Sequence, residues 1–209
     1  MAPPKVKSLR PGVPGGLREQ IKAERARAIL GAARDLFRER GFDRATTLEI
    51  AERAGVGAGT VFKYFPTKDA LLSAVVNMDL AAVHRRAARL ATTQRGLAAR
   101  LVSFYGQILD FHLAHGDLSR AFMRLATAPE EDEGPDAPIR ATMGFVAEAA
   151  LAGELAADVP VADLAQNCLA IFLDVLNQAL MRDAAMAIPH ERLARRLSLQ
   201  LGPLGRPAP

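Results

Sequence analysis

The sequence predicts an all-α protein in which a small N-terminal three-helix unit precedes a larger helical domain. Three observations carry this expectation. Apolar residues recur every three or four positions along most of the chain, and beyond Gly96 no segment alternates with the two-residue period of a strand. Thr46, Glu49, Gly55 and Pro66 punctuate one short stretch as helix starts and stops do. The 209 residues are half apolar, enough to bury a sizeable core.

In chain order, residues 1–18 hold four prolines, Lys5, Lys7, Arg10 and Arg18, and no acidic group. Such a segment buries too little apolar surface to fold alone and reads as a disordered basic leader. A sharper reading makes it an arm that reaches a DNA minor groove or backbone. From residue 17 to 40, Ala26, Ile29, Leu30, Ala33, Leu36 and Phe37 recur at helical spacing, and Gly41 ends that helix. Phe42 is expected to plug a small core made by Ile50, Ala54, Val61 and Phe65.

Thr46 and Glu49 form a capping box, in which each side chain satisfies an orphan amide of the first turn. The helix it starts should stop at Ala54, because Gly55 suits the left-handed position beyond a helix end. A second short helix over residues 58–65 follows, limited by Pro66. Advancing about 100° per residue places Ala58, Val61 and Phe65 on one side. Gly59, Thr60, Lys63 and Tyr64 fall on the other, with Phe62 at the border. The outward set suits phosphate oxygens and base edges in a major groove. This is a helix-turn-helix.

Thr67 caps a fourth helix, to about residue 90, that links this unit to the rest. Helices follow over 97–115, where apolar residues cover more than one face, and over 117–126. The proline-bounded acidic run 129–138 reads as a solvated loop. Further helices are expected over 139–152, 161–187 and from Pro189, before a proline-rich tail. The domains are therefore a leader (1–18), a helix-turn-helix unit (19–68), a helical domain (69–202) and a flexible tail (203–209).

Charge supports the division of labour. Residues 1–70 hold 14 basic and 8 acidic groups, a balance of +6, against −2 for the remainder. A basic excess around the outward-facing helix favours DNA through counterion release. No apolar stretch is expected to reach the length of a membrane span, since the run 168–173 is stopped by Asp174. No secretory h-region follows the basic N-terminus, so the cytoplasm is the default location. The single cysteine, Cys168, lies in an apolar helical pattern and reads as a buried structural thiol. His112 and His115 are three apart on one helix, but further metal ligands cannot be placed beside them, so satisfied or surface histidines are preferred and neither metal nor cofactor is expected. No phosphate loop, serine elbow or catalytic cysteine context is present.

Residues 21–72 resemble the N-terminal DNA-binding domain of the TetR family of transcriptional regulators. The ordered series Gly41-Phe42, Thr47, Ile50-Ala51, Gly55-Val56, Gly59-Thr60 and Tyr64-Phe65-Pro66 carries the resemblance. It departs from the family at Gly57, often a serine cap, and at Phe62, often tyrosine. The resemblance implies a homodimer that binds palindromic operator DNA, represses transcription and is released by a small-molecule effector. An activator or dual regulator, or a small-molecule-binding protein or enzyme with a vestigial DNA head, is the alternative. The DNA contacts are then assigned to Thr47, Gly59, Thr60, Lys63, Tyr64 and Lys68, with Tyr64 and Lys68 on phosphates and Thr60 and Lys63 at base edges. Phe104, Tyr105, Ile108, His112, Phe122 and Met123 are the expected lining of the effector cavity, or else plain core. The last two helices are ordinary core or, as the family implies, the dimer interface through Leu164, Cys168, Ile171, Phe172, Val175, Leu193 and Leu197.

Overall fold

The computed structural model describes residues 16–126, 137–181 and 188–204. The expectations for the leader through residue 15, for the acidic loop through residue 136, for residues 182–187 and for the tail from residue 205 lie outside the described residues. The rest is helical, with no strand among the described residues: α1 (Leu17–Arg40), α2 (Thr47–Arg53), α3 (Ala58–Tyr64), α4 (Lys68–Ala91), α5 (Leu97–Ala114), α6 (Gly116–Ala126), α7 (Ala137–Leu151), α8 (Val161–Met181) and α9 (Pro189–Leu201). A 3-10 turn, Gly202–Leu204, closes the described chain.

The small unit folds as its punctuation dictates. The Thr46 hydroxyl accepts from the Glu49 amide at 3.2 Å, and the Glu49 carboxylate accepts from the Thr46 amide at 3.0 Å. Gly55 takes φ 66°, a conformation that an L side chain rarely tolerates. Ile29, Ala33, Leu36 and Phe37 of α1 bury against Ile50, Ala51 and Val61. Each large apolar side chain removed from water here contributes roughly 1.5–3 kcal/mol. Phe42 packs edge-on to Phe37 at 5.4 Å. It and Phe65 are partly buried, flanking the core rather than plugging it.

α4 is the shared spine. Its Leu71, Leu72, Val75 and Val76 close the core beneath α1, and its Leu80, His84, Ala87 and Ala91 continue into the larger domain. Asp79 anchors the joint by accepting from Arg38 at 2.8 Å, with Arg34 at 3.8 Å. Within the larger domain α5 is central, packing on α4, α7, α8 and α9. Tyr105 stacks on Phe172 at 4.7 Å with 9° between planes, and Phe104 meets Phe145 edge-on at 5.6 Å.

One sequence expectation needs correcting. α8 has the length and, with mean hydropathy 1.3, the composition to cross a membrane. Asp163 and Asp174 interrupt its apolar character less than expected, because they lie eleven positions apart. Leu164, Cys168, Phe172 and Val175 bury one face of it inside the bundle, the environment of a core helix.

Candidate functional site

Two regions concentrate chemistry. The first is the outer surface of α2 and α3. α2 is locked at its start by the capping box and at its end by a forked Arg53–Glu39 pair of 2.7 and 2.9 Å. Those contacts hold the Glu39 and Glu49 carboxyls below their usual range; a hydrogen bond from Arg53 dominates the first and hydrogen bonds from Thr46 the second. α3 is rigidly held through buried Val61, so its opposite face is presented by geometry alone.

On that face Gly59 and Lys63 are exposed, while Thr60, and Thr47 on α2, are partly covered. A Cβ built on Gly59 meets nothing within 4 Å, so no contact inside the protein requires glycine there. Phe62 stands 48% exposed, an apolar side chain on the same outer surface.

Tyr64 and Lys68 are each partly covered by the protein itself. Tyr64 is half-buried against the core, on the side of α3 that faces the start of α1. There Lys63 and Tyr64 line a shallow cleft with Lys22 and Arg25. Lys68 does not project freely: its Nζ donates to the Asp43 carbonyl at 3.2 Å and lies 4.4 Å from the centre of the Phe42 ring. Sequence reasoning missed Lys22 and Arg25. The charged face of α1 reads as merely solvated until folding brings it beside α3.

The second region is an apolar cavity of about 680 Å³ in the larger domain, bounded by α4, α5, α6, α7 and α8. Ile108, His112, Phe122 and Met123 line it as expected, and Leu80, Leu169, Phe172 and Leu176 complete its apolar wall. Phe104 and Tyr105 do not line it. Both are fully buried on the other side of α5, where the Tyr105 hydroxyl is 2.7 Å from Thr142 Oγ1 and burial pushes the phenol pKa well up. The missed polar lining is Asn77 and His84 from α4 and Asn177 from α8.

His84 is nine-tenths buried, lines the cavity, and makes no hydrogen bond among the described residues. Burial lowers its pKa, so the ring is neutral in the fold. His112 is pushed down to about 4, first by burial and then by the neighbouring His84 and His115, and its Nδ1 pairs with Ser119 Oγ at 3.0 Å. His115 turns away to the Phe111 carbonyl at 2.9 Å. Two neutral imidazoles in an apolar wall can position an uncharged oxygen or nitrogen of a ligand.

The seven residues expected at a dimer interface pack mostly within the protomer. Leu164, Cys168, Phe172, Val175, Leu193 and Leu197 are buried within the protomer and Ile171 is partly so. They join α8 to α5, α7 and α9 within the protomer. Burial lifts the Cys168 thiol to about 11, as fits an inert core thiol. Leu173 and Met181, at 42% and 48% exposure, lie at the edge of the cavity, and Leu199 of α9 is turned outward at 70%.

Comparison with known proteins follows the same two regions. Residues 29–75 match the model of the bacterial regulatory proteins, tetR family. The chain is 37% identical over 84 residues to an HTH-type transcriptional repressor of Mycobacterium tuberculosis, covering 39% of this chain and 45% of that protein. It is 26% identical over 117 residues to the nucleoid occlusion factor SlmA of Pasteurella multocida, covering 56% and 59%. The chain thus spans about half the length of these curated relatives. The crystal structure of Thermus thermophilus FadR, a TetR-family transcriptional repressor in complex with lauroyl-CoA, is similar over a wider span. It matches with TM-score 0.69 at 27% identity, covering 88% of this chain and 98% of that one.

Proposed function

We propose that this chain, a member of the tetR family of bacterial regulatory proteins through residues 29–75, is a cytoplasmic repressor that binds a palindromic operator as a homodimer and is released by a small-molecule effector. The observation that carries the reading is the coexistence of an outward, glycine-bearing short helix with an apolar cavity, joined by the single helix α4. Thr60 and Lys63 read base edges, Gly59 lets the helix approach the groove floor, and Thr47, Lys22 and Arg25 take phosphates. The two-fold follows from the target: two reading helices about 34–36 Å apart engage successive major grooves. Release requires that the effector bind the DNA-incompetent arrangement more tightly than the competent one.

The test is a gel shift of the purified chain against the DNA flanking its own gene. A specific complex is expected, weakened by roughly 1–3 kcal/mol in Lys63→Ala with relaxed preference at one base position. Binding that is equal for flanking and unrelated DNA would remove the reading.

A further inference from the structure

The apolar cavity of about 680 Å³ carries a short polar line along α4. Asn77 and His84 both line it from that helix, seven residues apart, with Leu80 and Ala81 between them. Seven residues are about two turns, so the two polar groups stand roughly 10 Å apart along one wall. His84 is nine-tenths buried and Asn77 half-buried, and neither makes a hydrogen bond among the described residues. Polar groups are costly to cover without a partner, and the cavity is the space in which one can stand.

We propose that the effector is an uncharged, largely apolar molecule with a hydrogen-bonding oxygen or nitrogen near each end, one met by His84 and the other by Asn77. This rests on the reading of the cavity as an effector site. A neutral imidazole offers one donor and one acceptor, and a carboxamide offers both, so hydroxyl or carbonyl groups satisfy either position. The formally charged residues of the wall are already engaged. Asp174 accepts from Arg196 and, at 2.8 Å, from Gln178, and Arg124 is not without a partner. His112 has its Nδ1 on Ser119. A carboxylate or phosphate placed beside these rings would lose its hydration without gaining a free cation.

The spacing also bears on the reading head. Between Asn77 and His84 on α4 lies Asp79, whose carboxylate accepts from Arg38 of α1 at 2.8 Å. A ligand held at both ends therefore grips the segment of α4 that positions α1, which a ligand held at one end does not. Binding in the cavity is coupled to the DNA-reading unit through that segment.

The test is calorimetric titration of the full, DNA-free chain with rigid rods of one shape: biphenyl-4,4′-diol, with a hydroxyl at each end, 4-phenylphenol, with a hydroxyl at one end only, and biphenyl-4-carboxylate. The diol is expected to bind about tenfold more tightly than 4-phenylphenol, and at least about tenfold more tightly than the carboxylate. His84→Leu and Asn77→Leu should each weaken the diol by about tenfold. 4-Phenylphenol, able to turn end for end toward the polar group that remains, should change by less than the diol. Its retained binding, with circular dichroism, checks that the variants fold. A carboxylate that binds as tightly as the diol, a diol no tighter than 4-phenylphenol, unchanged diol affinity in both variants, or no binding of any rod would overturn the proposal. Specific operator binding in the same preparation separates these outcomes from failure of the repressor reading, which would be lost only if that binding were absent.

Discussion

Lys68 Nζ caps the Phe42 ring at 4.4 Å and donates to the carbonyl of Asp43, the next residue, at 3.2 Å. The first residue of α4 thereby pins the turn between α1 and α2. Lys68→Ala should cost about 1 kcal/mol in chemical denaturation of the DNA-free protein, from the lost cation–π contact and hydrogen bond. A lysine that served only a DNA phosphate would leave that stability unchanged.

Gly59 lies inside α3 with open space around it. Gly59→Ala should therefore stabilise the free protein by up to about 1 kcal/mol, since glycine is entropically costly in a helix. Operator affinity should fall in the same variant, because the added methyl stands where the groove approaches. A gain in stability without any loss of affinity would place the DNA elsewhere.

Tyr105 tests the boundary of the cavity. Tyr105→Phe removes the 2.7 Å contact to Thr142, whose hydroxyl still donates to the Pro138 carbonyl at 2.8 Å. The expected cost is about 1 kcal/mol in stability, with ligand affinity unaltered. A tenfold change in ligand affinity would return Tyr105 to the binding surface.

Buried His112 imposes a pH dependence of known sign. Its folded pKa of about 4 lies below the ordinary 6.5, so the unfolded chain takes up a proton that the folded chain refuses. Stability is full above about pH 6.5 and falls toward pH 4, by an amount on the order of 3 kcal/mol. His84 acts in the same direction. The lowered carboxyls of Glu39, Glu49 and Asp174 add their loss further down, as pH drops through their folded values. Urea midpoints measured between pH 4 and 7 should show a shallower slope in His112→Gln than in the wild type.

Leu199 is the most outward apolar residue of α9. Leu199→Glu should shift sedimentation from dimer toward monomer at micromolar concentration, while Leu197→Ala, within the core, should lower stability by about 2–5 kcal/mol. Equal dimerisation of the wild type and Leu199→Glu would move the interface off this face.

What the sequence determined by itself was local. Thr46, Glu49, Gly55, Pro66 and Thr67 act through backbone amides and φ angles within a few residues, so helix limits and the outward phase of Gly59, Thr60 and Lys63 were legible. So was the apolar periodicity of α5 and α8. Periodicity says that a face is buried but not against what. Six of the seven α8 and α9 residues read as a dimer seam are buried within the protomer. Phe104 and Tyr105, one turn from Ile108, fell on the packed side of α5 rather than the hollow one. Only the tertiary structure decided these points, together with the meeting of Asn77, His84 and Asn177 in one cavity, because packing between distant helices depends on crossing geometry that no local pattern encodes.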